Sequence, residues 1–415
     1  MNHKLALLLG VLIATATPLV SSRQQAPGSS SDWTQWRGAN RDAAVSGSSD
    51  PRQWPAQLAE GWKVEVGLGY ATPLVVGNRL YVFARQGNDE VMSALDVANG
   101  AVSWKATYAA PFTMHPAAVR HGAGPKSTPV FASGRLFSIG MSGIVTAFDA
   151  SNGTIVWQKP AGTANPMYNS HAFSPIVDQG AVIFHIGGHD QGALTAFSIA
   201  DGTVRWTWIG DGPAYGSPIV ATLQGVRQLI TLTQNKLVGL DVANGSLLWE
   251  RAFPSARFVN AATPVLVGDT VMVSNGGPAT AVRVMRRDGQ WTTDVVWENA
   301  DTPYTFSNAL IHDGMLLGLS SRNSGQYFGV DPASGKTLWL SEPRQATNAA
   351  ILRVGEVLLS LEDDGELIVA TATRSSFSVI RRHRVSEGAT WTVPVLSAGR
   401  LFVKDESSLT SWGLN

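Results

Sequence analysis

Ala94-Leu95-Asp96-Val97-Ala98-Asn99-Gly100-Ala101-Val102-Ser103-Trp104 is one copy of a phrase that recurs along the chain. Asp, Gly and Trp keep the same offsets in Asp149/Gly153/Trp157, Asp241/Gly245/Trp249 and Asp331/Gly335/Trp339, and Ser198/Gly202/Trp206 changes only the acid. The copies begin 53, 49, 43 and 90 residues apart, and 90 is close to two periods of 45. Short apolar runs and Gly turns at that period predict the blades of a β-propeller. In such a blade the Asp stands between the third and fourth strands, where its carboxylate accepts backbone N–H groups and pins the turn. Gly supplies the positive φ of a bulged hairpin. Trp falls four residues into the outer strand, with its ring against the next blade and its indole N–H toward a carbonyl. These Asp and Trp residues therefore read as scaffold.

A second recurring element marks the innermost strand of each blade: a small polar residue, usually Pro, then an apolar run, a Gly turn and a further apolar run. It stands at Thr72-Pro73, Thr128-Pro129, Ser174-Pro175, Ser217-Pro218 and Thr263-Pro264, with weaker copies at Asn308-Ala309, Asn348-Ala349 and Val393-Pro394. Pro suits the first residue of a strand, where no ladder donor is needed. Eight starts predict an all-β, eight-bladed ring of four-stranded antiparallel blades over residues 54–415. After Val393 the chain supplies three strands and stops. Gly61–Val66 precedes the first start and is expected to complete the eighth blade, so that no edge is left open. Blades five and seven depart from the phrase: blade five keeps Asp288-Gly289 and Trp297 around an insertion. Arg381-Arg382-His383-Arg384 marks the outer part of blade seven, as a solvated strand face or a docking patch for an acidic partner.

The chain has 415 residues, 31 acidic and 31 basic side chains, 42 Gly, 14 Trp and no Cys. A balanced charge argues against a nucleic-acid groove or an electrostatic membrane anchor, both of which need clustered Lys and Arg. The lack of Cys excludes disulfides, Cys-ligated metals and a lipidated Cys. Residues 1–22 read as a secretory signal peptide, with Lys4 as the positive start and an apolar run from Leu5 to Ala16 too short to span a bilayer. The expected location is periplasmic or secreted, with no transmembrane segment in the mature chain and a monomeric state. Residues 23–53 read as a linker followed by an arm, Trp33-Thr34-Gln35-Trp36-Arg37-Gly38-Ala39-Asn40-Arg41-Asp42, rich in aromatic and Arg residues and without strand alternation.

The Ala-x-Asp-x-x-x-Gly-x-x-x-Trp phrase resembles the tryptophan-docking repeat of the pyrroloquinoline quinone (PQQ) propeller superfamily, and the resemblance covers nearly the whole mature chain. One branch holds the quinoprotein dehydrogenases, for which the resemblance implies PQQ with calcium at the axial mouth. Another holds the cofactor-free outer-membrane assembly factor of the β-barrel assembly machinery. The arm and the segment Gly122-x-Gly124-Pro125-Lys126-x-Thr128-Pro129 resemble secreted members assigned to neither branch. The vicinal Cys pair of the dehydrogenases cannot exist here, and no segment reproduces their calcium ligands or catalytic Asp. The assembly factor's lipidated Cys is also missing.

Loops entering the inner strands share one face of a propeller, and they predict a ligand site at the axis. Tyr70, Lys126, Tyr215 and Phe306 stand two residues before a blade start, and His171 and Asn260 stand three before; Trp391 adjoins Thr392, and Arg322 lies in a second-to-third-strand loop. Aromatic rings, cations and amides converging on a funnel suit a planar or anionic small molecule; ordinary loops capping a solvent channel are the alternative. The long loop Phe112–Lys126 reads as a lid, or as the carrier of a general base in His121, with His171 a second possibility for that role. His185, His189 and Asp190 invite a zinc or iron reading. No phosphate-binding Gly loop, nucleophile elbow or His-Glu-x-x-His helix is present. The expected function is a non-enzymatic binding or scaffold module, for a protein partner in the envelope or a small ligand, without a cofactor. The alternative is a PQQ- and calcium-dependent alcohol or sugar dehydrogenase.

Overall fold

The computed structural model describes residues 32–162, 167–168, 170–255 and 259–415. The expected signal peptide and linker, residues 1–31, lie outside them.

Eight antiparallel sheets surround one axis. Blade 1 is built from Leu74–Val76, Arg79–Gln86, Asp89–Asp96 and Val102–Ala109, inner strand first, and the next six repeat that order. Blade 8 takes Val395–Ser397, Arg400–Lys404 and Ser408–Gly413 from the C-terminus and its outer strand, Ala59–Glu65, from the N-terminal side. Glu65 pairs with Ser408 and Ala59 with Gly413, so the ring closes through hydrogen bonds between the two ends of the propeller, as the strand order predicts. Strands rise about 3.3 Å per residue with side chains alternating between the two faces, and their middle residues are buried on both faces because each blade lies between two others. Phe83, Phe137, Phe184, Phe328 and Phe402 are all fully buried in this way.

The phrase explains the rim. Asp96 Oδ1 accepts the Ala98 N–H at 2.9 Å, and Asp149, Asp241 and Asp331 do the same for Ser151, Ala243 and Ala333. The register shifts by one residue just after each turn, the bulge that Gly at φ near +70° permits. Indole N–H groups reach carbonyls of the next blade: Trp104 to Ala150 (3.2 Å), Trp206 to Val242 (2.9 Å), Trp297 to Pro332 (2.9 Å) and Trp339 to Thr373 (2.8 Å). Trp62, on the closing strand, reaches Val97 at 3.1 Å and seals blade 8 to blade 1.

Two further roles emerge from the packing. In all five copies of the phrase the turn Gly lies beneath the Trp of the preceding blade; a Cβ on Gly153 would stand 2.5 Å from the Trp104 ring, and one on Gly245 2.5 Å from Trp206. The first Ala of the phrase is small because the Trp of its own outer strand pairs across from it, as in Ala94 with Trp104 and Ala147 with Trp157. Trp249 departs from the rule: its N–H goes to Gln228 of its own blade at 2.6 Å.

The polar residue at each blade start ties the hub. The Thr72 N–H donates to the Thr128 hydroxyl at 3.1 Å, Thr128 to Ser174 at 3.0 Å, and Ser174 to Ser217 at 3.0 Å. Thr263 donates to the Asn308 side chain at 2.6 Å, and Val393 closes the circle onto Thr72 at 3.2 Å. A short hydroxyl here supplies the partner that the first N–H of an inner strand lacks.

Candidate functional site

The inner strands turn one edge toward the axis, and an unpaired edge needs partners. The arm supplies them. Asp32 caps the Gly77 N–H, and Trp33 pairs with Val75 of blade 1. The Thr34 carbonyl accepts from Phe131 of blade 2, and Ala44–Val45 lies parallel to the inner strand of blade 7. Between these points the arm reaches the end of the channel where the inner strands begin. There Arg37 donates to the Ala309 carbonyl at 2.7 Å, Arg41 donates to Ser174 and Pro175 at 2.9 and 2.8 Å, and the Trp36 indole donates to Thr263 at 3.0 Å. The tip folds tightly, with Arg37, Gly38, Arg41 and Ala43 at positive φ. Both arginines are buried, which lowers Arg37 to about 10 and Arg41, further burdened by Arg37's charge, to about 9. They remain cations at neutral pH, solvated by backbone carbonyls.

Above the arm's tip the mouth of the axis holds a cavity of about 140 Å³. Its apolar walls are five rings: Trp36, Tyr70, Tyr215, Phe306 and Trp391. Its polar lining is His121, Lys126, Ser217 and Asn308. Trp391 meets both Phe306 and His121 edge to face, at centroid distances of 6.2 and 5.3 Å. A smaller hollow of about 40 Å³ runs on between Trp391 and Arg37.

Lys126 donates to the Gly122 carbonyl at 3.0 Å. Burial, then the nearby Arg85 charge, lowers it to about 8. His121 is lowered by burial and by Arg120 and Lys126, whereas burial and the charges of Glu406 and Asp405 push Tyr70 up to about 12. The loop that carries His121 and Lys126 is held down by Arg85, which donates to Ala110 at 2.7 Å and Ala123 at 2.8 Å and faces the buried Glu90 at 3.8 Å. Through His121 and Lys126 it forms part of the cavity wall.

Tyr70, Lys126, Tyr215 and Trp391, picked from the sequence, thus converge on one cavity. His171, Asn260 and Arg322 lie elsewhere. His171 is buried with its ring against Gly143 and its Nδ1 unpartnered among the described residues, and burial lowers it to about 4; only its neighbour Ala172 lines the cavity. Asn260 is fully buried, and its amide donates to the carbonyls of Thr233 and Phe253 at 2.8 and 2.9 Å, clamping blade 4. Arg322 stands exposed in a turn, 3.4 Å from Asp301. Trp36, Ser217 and Asn308 were not among the residues expected at the site; the clustering of Trp and Arg in a segment without strand alternation was the available signal for Trp36.

Asp190 exchanges two hydrogen bonds with Gln234, at 2.9 and 2.6 Å, and His185 Nε2 lies 3.2 Å from the Asp211 carbonyl. Among the described residues no three His, Cys, Asp or Glu side chains gather closely enough to hold a metal. The cavity lining also contains no carboxylate. Calcium takes six to eight oxygens, normally with acidic ligands among them, so the donor set at the mouth does not fit a quinone held with calcium.

Ring, closing strand and docked tryptophans define a PQQ-repeat β-propeller. The family model described as outer membrane protein assembly factor BamB matches residues 88–341, and the chain belongs to that family. Two relatives named outer membrane protein assembly factor BamB are similar to it. The one from Shewanella oneidensis is 24% identical over 334 residues, covering 76% of this chain and 77% of the relative. The one from Yersinia pestis is 22% identical over 302 residues, covering 68% and 72%. The crystal structure of BamB from Moraxella catarrhalis matches with a TM-score of 0.62 at 16% identity, covering 86% of this chain and 98% of that one. The quinohemoprotein alcohol dehydrogenase of Comamonas testosteroni matches with a TM-score of 0.63 at 13% identity, covering 92% and 80%. At such identities the two structures share the fold.

Proposed function

We propose that the chain is a non-enzymatic scaffold of the cell envelope, working in the periplasm as a monomer and holding a protein partner during assembly of outer-membrane proteins. The observation that carries this reading is the filled axis: Trp36, Arg37 and Arg41 of the chain's own arm occupy the channel between the inner strands. That leaves the rigid ring, its loops and its outer strands as the surface for recognition. Membership of the BamB family supports the same reading. The dehydrogenase alternative loses support because the mouth offers calcium no acidic ligand. Among the described residues no helix is long and apolar enough to cross a membrane. Deleting the gene from its host is expected to lower the folded β-barrel content of the outer membrane, read by heat-modifiable gel mobility. Unchanged barrel content in the deletion strain would sink the proposal.

A further inference from the structure

The cavity at the axial mouth has two features that a capped solvent channel does not require. Five aromatic rings converge on it from distant points of the chain, at positions 36, 70, 215, 306 and 391. One of them, Phe306, is 45% exposed, an apolar surface left open to solvent. The second feature is Lys126. Its ammonium has three protons, one engaged by the Gly122 carbonyl and another facing the weak acceptor Sδ of Met141 at 3.8 Å. The charge acting on it comes from a cation, Arg85, and among the described residues no carboxylate pairs with it. A half-buried ammonium without a counter-ion is held at a cost that an incoming anion would remove. His121 lies on the same side of the cavity, and Asn308 and Ser217 add neutral hydrogen-bonding groups. Glu406 and Asp405 act on Tyr70, and the Glu406 carboxylate also stands beside Gly122, so an anion is disfavoured at that wall and is received on the cavity side of Lys126.

We propose that this cavity binds a small six-membered-ring compound carrying one carboxylate, its ring between Trp391, Phe306 and Trp36 and its carboxylate on Lys126. The chemistry is shared by aromatic acids and uronic acids, since aromatic walls accept both a flat ring and the C–H face of a sugar. A quaternary ammonium, the other usual guest of an aromatic cage, is opposed by the Lys126 charge. Trp36 makes the arm part of the site: it is anchored by its bond to Thr263 and forms a wall that the ring of blades does not itself supply. The proposal is independent of the scaffold role, because it concerns the mouth rather than the surface that meets a protein.

The test is calorimetric titration of the full-length protein with benzoate, glucuronate, benzyl alcohol and benzyltrimethylammonium. One of the two carboxylates is expected to bind at least about tenfold more tightly than benzyl alcohol, the size of one charge-assisted hydrogen bond. Which carboxylate binds assigns the class. Lys126→Met should lose that preference while melting at the same or a higher temperature, since a buried charge is removed. Phe306→Ala should weaken the binding of the preferred carboxylate without unfolding the half-exposed site. Binding of neither carboxylate at millimolar concentration, equal affinity for benzyl alcohol, or an unchanged preference in Lys126→Met would each overturn the proposal.

Discussion

At the rim, Trp104 of blade 1 lies on Gly153 of blade 2, and the same pair recurs as Trp157 on Gly202, Trp206 on Gly245 and Trp297 on Gly335. At the hub the arm touches six of the eight blades, each differently: Trp33 on Val75, Thr34 on Phe131, Arg41 on Pro175, Trp36 on Thr263, Arg37 on Ala309 and Ala44 beside Arg353. The rim joins blades by a unit that each repeat carries, so one joint can decay while its neighbours persist. Trp249 has left its joint for Gln228, and Gly289 has open space where the others meet an indole. Beyond the repeated bonds at the blade starts, the hub is joined by a single segment whose contacts reach six blades, so a change there is felt around the ring.

The largest effect should follow from the hub. Removing the arm, residues 32–45, leaves the inner edges of these blades without partners and empties the channel of Trp36, Arg37 and Arg41. A loss of about 5 kcal/mol or more in denaturant stability is expected, from several buried carbonyls and N–H groups losing their partners at about 1–3 kcal/mol each. A loss near 1 kcal/mol would mean that the ring holds itself together and the arm is an ornament.

Next comes the contrast between a kept and a decayed rim joint. Gly153→Ala places a methyl inside the Trp104 ring at φ +79°, and overpacking adds to backbone strain, for about 2–4 kcal/mol. Gly289→Ala at φ +80° meets nothing within 4 Å and should cost only the strain, about 1 kcal/mol. Equal losses, measured by urea unfolding of the two variants, would show that the indole contact does not govern the joint.

The smallest effect concerns the joint between blades 6 and 7, where a polar contact reinforces the Trp339 bond. Tyr327 donates to Glu362 at 2.9 Å, and burial pushes Glu362 up to about 7 despite that bond and the Arg382 charge. Because the folded form holds the proton more tightly than the unfolded chain, the stabilising contribution is complete below the ordinary carboxylate range and fades as pH rises through about 7. Glu362→Gln should therefore match the parent near pH 4 and melt a few degrees higher near pH 8. A melting difference that does not change with pH would place the titration elsewhere.

The rim was legible because its logic is local and repeated. Asp caps its own turn two residues away, Gly sets its own φ, and five copies in register expose the pattern. What the phrase did not reveal was why Gly and the first Ala must be small, since the indoles that fill those spaces belong to the preceding blade and to the facing strand. At the site, position before a blade start located Tyr70, Lys126, Tyr215 and Trp391, because ring symmetry sends equivalent loops to one face. The same rule misplaced Asn260 and His171, which stand one residue further back and turn into the loop packing. Arg322 belongs to a different loop, whose exposed turn leads away from the axis.

By itself, then, the sequence determined the all-β class, the number of blades, the docking residues of the rim and the closing strand, since each follows from short-range spacing repeated along the chain. Only the tertiary structure decided the course of the arm and the shape of the mouth. Trp36 meets Thr263 across 227 residues, and Arg37 meets Ala309 across 272. Contacts of that reach occur once, have no period, and exist only after the ring has brought its inner strands around a common axis.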